Sequence, residues 1–444
     1  MPIGLQNGID RSYLKTMKGA AQFAESGDVA GDRGGIVWDG THYRVIGDSL
    51  CSVSNAGDIE VLGVVDTDGK KVTLDYSFDR LAIRSGKALF YWHEDALTQV
   101  TDIDLFDVID FVFLGGYFVT TDGESLVVTE LGDPEQVDPI KYGSSEFDPD
   151  PIVGLIRLSG QIYALNRYSI EAFVNVGGSG FPFARIDGAT ISKGLVGTQA
   201  KCSIADTFFF VGGGRGEEIG LYVAGNGRAD KVSTTEIDKI LNDLQVTDQE
   251  KIELEARVAD GVELVYIHTP VGTYCYSITG TLQLQQPVWF SLHSSDEATG
   301  AYNLRNWVLA NGEWICGDIS GDGLGIEVDD PAHFGEYVGW EFSTSLLYNQ
   351  GNGAQVHELE LVGLPGSSPL GAVEPTIYHT YSNDGKSWSN PRPAKAGVRG
   401  DYQKRIIWIM NGSMRNFRSF KFKCVSDTAF SFSSLQARIE ALNV

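Results

Sequence analysis

Apolar residues in this chain fall in short runs, each closed by a turn-forming residue. The stretch from Tyr142 to Phe183 shows the pattern best. Ile152-Val153-Gly154-Leu155-Ile156, Ile162-Tyr163-Ala164-Leu165 and Ser169-Ile170-Glu171-Ala172-Phe173-Val174 are strand-length runs. Ser159-Gly160 and Asn166-Arg167-Tyr168 separate them, and the acidic linker Phe147-Asp148-Pro149-Asp150-Pro151 precedes them. Runs of this length between breakers predict a three-stranded antiparallel meander.

The same pattern recurs from Gly35 to about residue 330. One cluster joins Ile36-Val37-Trp38, Tyr43-Arg44-Val45-Ile46, Leu50-Cys51-Ser52-Val53 and Ile59-Glu60-Val61-Leu62. Further clusters begin at Leu81, Asp110, Cys202, Glu255 and Asn306, with the Ile152 meander fourth in order. Their spacing averages roughly 45 residues, the period of a propeller blade. A lone blade cannot bury both faces, so such units stack around an axis. The pattern predicts a β-propeller of six or seven blades over residues 35–333, preceded by a polar N-terminal arm, residues 1–34, that gains order by docking on another domain or subunit.

Two stretches depart from it. Ile237, Ile240, Leu241 and Leu244 follow helical spacing behind Ser233-Thr234-Thr235-Glu236, which predicts a minor helical insertion with a hydroxyl cap. A second short helix is expected from Asp248 to Leu254. After Pro331 the runs lengthen and alternate, as in Val356-His357-Glu358-Leu359-Glu360-Leu361-Val362 and Ser419-Phe420-Lys421-Phe422-Lys423-Cys424. Alternation means one buried and one solvated face, so residues 334–444 are expected to form a β-sandwich. The tail from Leu435 to Leu442 fits a last strand or a short helix. The fold class is thus all-β, a propeller followed by a C-terminal β-sandwich.

Composition narrows the function. The net charge is -25, from 34 Lys+Arg and 59 Asp+Glu. A surface that acidic does not hold DNA by neutralising phosphates. Basic residues gather late in the chain, at Arg392, Lys395, Arg399, Lys404, Arg405, Arg415, Arg418, Lys421 and Lys423. That contrast predicts a docking domain for an acidic protein surface. The five Cys form no C-x-x-C pair and lie mostly in apolar runs, which reads as buried free thiols. The N-terminus carries no secretory pattern, and no apolar run is long enough to span a bilayer.

Chemistry-bearing motifs are sparse. Asp318 to Asp329 places oxygen-bearing side chains at EF-hand positions, but strand-like runs flank it, so a hairpin turn is the stronger reading. Ser382-Asn383-Asp384-Gly385-Lys386-Ser387-Trp388 resembles a degenerate Asp-box, a structural hairpin. Gly177-Gly178-Ser179-Gly180 and Gly212-Gly213-Gly214-Arg215-Gly216 fit no nucleotide fingerprint and are expected to be turns. The seven His are dispersed without ligand spacing. No catalytic, cofactor-binding or metal-binding residue is assigned, and no enzymatic activity is expected.

Several pieces in order resemble one family. They are Tyr43-Arg44-Val45-Ile46-Gly47, Tyr117-Phe118-Val119-Thr120-Thr121-Asp122-Gly123, the Tyr142–Phe183 stretch extended to Thr198, Lys231-Val232-Ser233-Thr234-Thr235-Glu236-Ile237-Asp238, Gln286-Pro287-Val288-Trp289-Phe290, Val356-His357-Glu358-Leu359-Glu360-Leu361 and Gly412-Ser413-Met414-Arg415-Asn416-Phe417-Arg418. The order resembles the packaged-DNA stabilisation, or tail accessory, proteins of short-tailed bacteriophages. The resemblance implies a structural tail hub or nozzle. It implies a homo-hexameric ring below the portal and head-to-tail adaptor, docking of a tailspike or tail fibre and a tail needle or plug, and a lumen for DNA ejection without specific binding. It also implies assembly in the host cytoplasm and residence in the virion tail, without membrane insertion by this chain. The alternative of a different class is a propeller-type glycan-binding or glycan-degrading tail protein.

Overall fold

The computed structural model describes residues 1–4, 12–27, 31–66, 68–297 and 299–442. The chain divides into two compact units. One comprises Phe23–Ile278 with Asn303–Gly325, and the other Met1–Gln22, Thr279–Tyr302 and Ile326–Val444.

The first unit holds the inner strands of seven antiparallel sheets arranged as a propeller. The innermost strands, in blade order, are Asp32–Trp38, Thr73–Tyr76, Asp110–Leu114, Ile152–Leu158, Lys201–Ile204, Glu253–Ala259 and Leu304–Ala310. Neighbours touch all round the circle, and Leu304–Ala310 of blade 7 returns to Asp32–Trp38 of blade 1. The N-terminal side of the chain closes blade 7, where the Ser26 N–H donates to the Asp322 carbonyl at 3.0 Å. Parts of the 1–34 arm, residues 5–11 and 28–30, lie outside the described residues.

Blade 4 contains the meander. Its strands Ile152–Leu158, Gln161–Asn166 and Ile170–Asn175 pair as expected, and Phe183–Arg185 adds a fourth. Alternate residues enter two different cores. Leu155, Ile162, Ala164 and Phe173 pack against Val112, Val119 and Val128 of blade 3. Tyr163 instead meets Phe208 of blade 5, with ring centroids 5.0 Å apart. Burying both faces of each sheet this way is what makes the repeat cooperative.

Three local expectations change. The helix is Thr235–Asn242, but the Thr234 side chain makes no cap hydrogen bond. The second helix is only Val246–Gln249, because Leu254 is already in the inner strand of blade 6, apolar side chain inward. Gly212 and Gly213 are not in a turn. They end the strand Thr207–Gly213, and a Cβ on Gly212 would sit 1.5 Å from the Gly194 carbonyl. Glycine is there for close backbone approach.

In the second unit two sheets face each other. One runs Pro2–Gly4, Ser12–Lys15, Ser431–Ala441, Ala354–Gly363, Ile406–Ile409; the other runs Gly339–Ser343, Phe417–Val425, Thr376–Ser382, Arg392–Lys395. The tail is therefore a strand. Phe420, Phe422 and Cys424 point into a core shared with Leu359, Leu361, Ile377, Trp408 and Phe432. Lys421 and Lys423, the alternate positions, stay on the outer face, the period-two pattern that alternation requires.

Candidate functional site

Buried charged and polar side chains of several blades meet among the inner strands. Inner strands carry mixed polar sequence, and their polar side chains meet where seven strands crowd together. Arg44 is fully buried beside Asp32, Nη1 to Oδ1 at 2.6 Å. Its Nη2 donates to the carbonyls of Asn306 (2.6 Å) and Ile315 (3.1 Å), and its Nε donates to His42 Nε2 (3.1 Å). Burial, and then the Arg44 charge, push the His42 imidazole down to about 3, so it is a neutral acceptor.

Ion pairs also span the axis. Lys71, just before the inner strand of blade 2, reaches Glu255 of blade 6 at 3.1 Å. Gln199, before blade 5, donates to Thr73 Oγ1 of blade 2 at 3.1 Å, and Thr73 donates to Asp110 Oδ1 of blade 3 at 2.8 Å. Lys201 of blade 5 pairs with Asp110 Oδ2 at 2.7 Å, and the Leu155 N–H donates to the same oxygen at 2.8 Å. Burial alone would raise the Glu255 carboxyl. Lys71, His268 and the Asn306 N–H outweigh it and hold the group well below the usual carboxylate range. Burial lowers the His268 imidazole, against the pull of Glu255.

This web joins the blades to one another. Two of its members, Lys71 and Glu255, line a cavity of about 250 Å³, to which blades 1, 2, 5, 6 and 7 contribute. Cys202 lines it, and burial pushes its thiol up to about 12, away from thiolate chemistry. Among the described residues, no group of three or more His, Cys, Asp or Glu side chains is placed to hold a metal ion.

The motifs read from sequence lie elsewhere and serve turns. The 318–329 stretch is the hairpin between Glu313–Asp318 and Gly323–Val328, and Asp318 Oδ1 accepts from the Ser320 N–H at 2.8 Å. Asp384 Oδ1 accepts from the N–H groups of Lys386 (2.8 Å) and Ser387 (2.7 Å), which caps the Asp-box hairpin. Lys421 Nζ lies 4.6 Å from the Trp388 ring centre. Gly177 donates to the Pro182 carbonyl in a blade 4 loop.

Much of the late basic cluster is engaged inside the sandwich. Arg418 is fully buried, stacks on Tyr381 at 4.1 Å and donates to the carbonyls of Asn411 and Ser413. Arg405 pairs with Glu358 and Glu360, and Lys421 with Glu341. Arg392 donates to the carbonyls of Ile409 and Met410. Of the other five, Lys404 lies 3.8 Å from Glu374, Lys423 is half-buried, and Lys395, Arg399 and Arg415 are exposed. The unneutralised positive charge exposed on this unit is therefore smaller than the residue count suggests. The axial web was not anticipated, because only pairs of distant residues create it.

Comparison with known proteins bears on both units. The family model described as "Bacteriophage P22 Gp10, beta-propeller" matches residues 1–329, and "Bacteriophage P22 Gp10, beta-sandwich" matches residues 339–440. The tail hub protein gp10 of Salmonella phage P22 is 24% identical over 422 residues, covering 90% of this chain and 85% of that protein. Among solved structures, the extracellular domain of a two-component system protein from B. thetaiotaomicron aligns at 10% identity and TM-score 0.46, covering 89% of this chain and 48% of that one. The N-terminal domain of Nup159 aligns at 10% identity and TM-score 0.44, covering 73% and 97%.

Proposed function

The chain belongs to the Bacteriophage P22 Gp10 family of tail hub proteins, and from that premise we propose that it forms a homo-hexameric ring beneath the portal and its adaptor. Its role in the virion tail is structural and non-enzymatic. In the proposed assembly the ring retains packaged DNA, docks a tailspike or fibre and a needle or plug, and forms part of the ejection conduit. Assembly takes place in the host cytoplasm. The observation that carries this reading is the succession of both family domains along one chain, propeller and then sandwich.

The geometry supports it in two ways. Cross-axis pairs such as Lys71–Glu255 close the propeller's own centre, so DNA would run between copies. The phosphate-repelling charge is also concentrated in the propeller part. Of 34 Lys+Arg and 59 Asp+Glu, 11 and 9 fall in residues 334–444, which leaves 23 and 50 in residues 1–333. An acidic wall lets a polyanion slide without adhering. Electron microscopy of the purified chain, alone and with a portal–adaptor complex, tests the proposal. Sixfold rings on the adaptor are expected, and a chain that stays monomeric and adds no density would refute it.

A further inference from the structure

Two surfaces of the chain stand without a partner, and each carries what the other lacks. One is the 101–107 loop, which follows the outer strand of blade 2, Ala96–Gln99. Ile103 is 86% exposed there and Phe106 56%. Large apolar side chains exposed together, unlike lone ones, mark a contact surface. Asp104 lies between them, and its carboxylate makes no hydrogen bond or ion pair among the described residues. The loop is held in shape from within. Asp102 Oδ1 accepts from the Asp104 N–H at 2.8 Å, and its Oδ2 accepts from the Val137 N–H at 3.1 Å. Leu105 is buried, and the Tyr142 hydroxyl donates to the Asp104 carbonyl. Phe106 sits at φ +58°, in the left-handed region, which is costly for a bulky residue. Strain of this kind persists where surrounding contacts hold it, and it clusters at binding sites.

The other is a groove of about 740 Å³ in the second unit, on the outer face of the sheet that holds Phe417–Val425 and Thr376–Ser382. Exposed Tyr337, Val373, Tyr378 and Val425 line it, with Lys423 among them. Glu341 stands directly across from Lys423 in the sheet, yet its carboxylate goes to Lys421 Nζ at 2.8 Å. Lys423 makes no ion pair among the described residues. Glu374, also in the groove, lies 3.8 Å from Lys404, which leaves Asp427 as its one unanswered acid among the described residues.

A half-buried, unpaired ammonium in an apolar groove favours an occupant that brings apolar side chains and a carboxylate together. The 101–107 loop presents that combination on a preformed turn, so little ordering is lost on contact. We propose that the 101–107 loop of one copy seats in this groove of the next. Ile103 and Phe106 lie against Tyr378 and Val425, and Asp104 pairs with Lys423. The two surfaces are unlike, so the contact repeats head to tail from copy to copy, the kind of interface from which rings are built. This inference rests on the ring reading above and names the surfaces that make the ring.

The test uses the full chain assembled on the portal–adaptor complex, with rings counted by electron microscopy and mass photometry and folding followed by calorimetry. Lys423→Glu and Asp104→Lys should each weaken ring formation at least about tenfold, because like charges then face each other. Combining the two should restore it, which a purely structural role of either residue does not predict. Ile103→Ser should melt like the wild type yet form rings poorly. Arg399→Glu, outside the groove, should leave ring formation unchanged. If a charge variant does not fold, Ile103→Cys combined with Val373→Cys carries the test. A short bis-maleimide should then link neighbouring copies into a ladder, and neither single variant should do so. The proposal is overturned if either charge variant forms rings as well as the wild type, or if combining them restores nothing. It is also overturned if rings form in which the two cysteines link no copies, or link only to the adaptor. In those cases the ring reading stands. If the wild-type chain forms no ring, both fall.

Discussion

Arg44 in the propeller and Arg418 in the sandwich are both fully buried, yet their charges are met differently. Arg44 faces a buried carboxylate, Asp32, and donates to carbonyls of another blade. Arg418 has the Tyr381 ring on one side and backbone carbonyls of residues 411–413 around its nitrogens. The propeller thus uses charge to join parts of the chain that are far apart, Arg44 and Asn306 being 262 positions from one another. The sandwich uses it mostly to hold a nearby loop, five to seven residues away, with Asn383 Oδ1, 35 residues away, accepting from Nε at 2.9 Å. A ring of repeats needs closure across blades; a two-sheet core is closed by its apolar interior.

Removing one partner should expose that difference. Asp32→Ala strands a buried guanidinium and should cost about 3–5 kcal/mol, lowering the propeller's melting transition. Calorimetry with proteolysis mapped to each unit checks this, and an intact propeller transition would break the comparison. Acidification should come next. His42 has a folded value of about 3 against 6.5, so the unfolded chain takes up the proton first as pH falls. Its contribution is complete above about pH 6.5 and is lost toward pH 3, at about 1.4 kcal/mol per unit. His268, lowered by burial, acts in the same direction; Glu255 loses its contribution as pH falls through its depressed value. The second unit holds lowered imidazoles of its own, His293, His333 (to about 4) and His379, so limited proteolysis should find both units loosening as pH falls.

Arg418→Met is expected to cost less, about 1–3 kcal/mol, since it leaves carbonyls rather than a charge unmet. It should act on the sandwich alone. Arg405→Ala should have the smallest effect. Its pairs with Glu358 and Glu360 are at a solvated surface, where ion pairs contribute little. A large loss of sandwich stability in that variant would mean the surface charges there are structural.

What could be read from the sequence follows the same division. Apolar strands in the middle of each blade, such as Tyr117-Phe118-Val119 and Leu221-Tyr222-Val223, were legible because breakers frame them. The first strand of blade 2, Thr73-Leu74-Asp75-Tyr76, was not, because its polar residues serve the axis and dilute the hydrophobic signal. Blade number stayed open for that reason. Lys71 and Glu255 are 184 residues apart, and nothing local marks either as half of a pair. In the sandwich the alternation of Phe420-Lys421-Phe422-Lys423 displayed both faces directly. In the same cluster, lysines and arginines engaged by Glu341, Glu358 and Glu360 look in sequence like the exposed ones.

The central claim is that this chain works as a ring-forming tail hub. The most direct measurement is cryo-electron microscopy of the chain mixed with its portal–adaptor complex, with the mass of the assembly determined in parallel. The account expects six copies in a closed ring, with the channel between copies and each propeller axis filled. A chain that stays monomeric, or a ring whose channel threads the propeller axes, would contradict it.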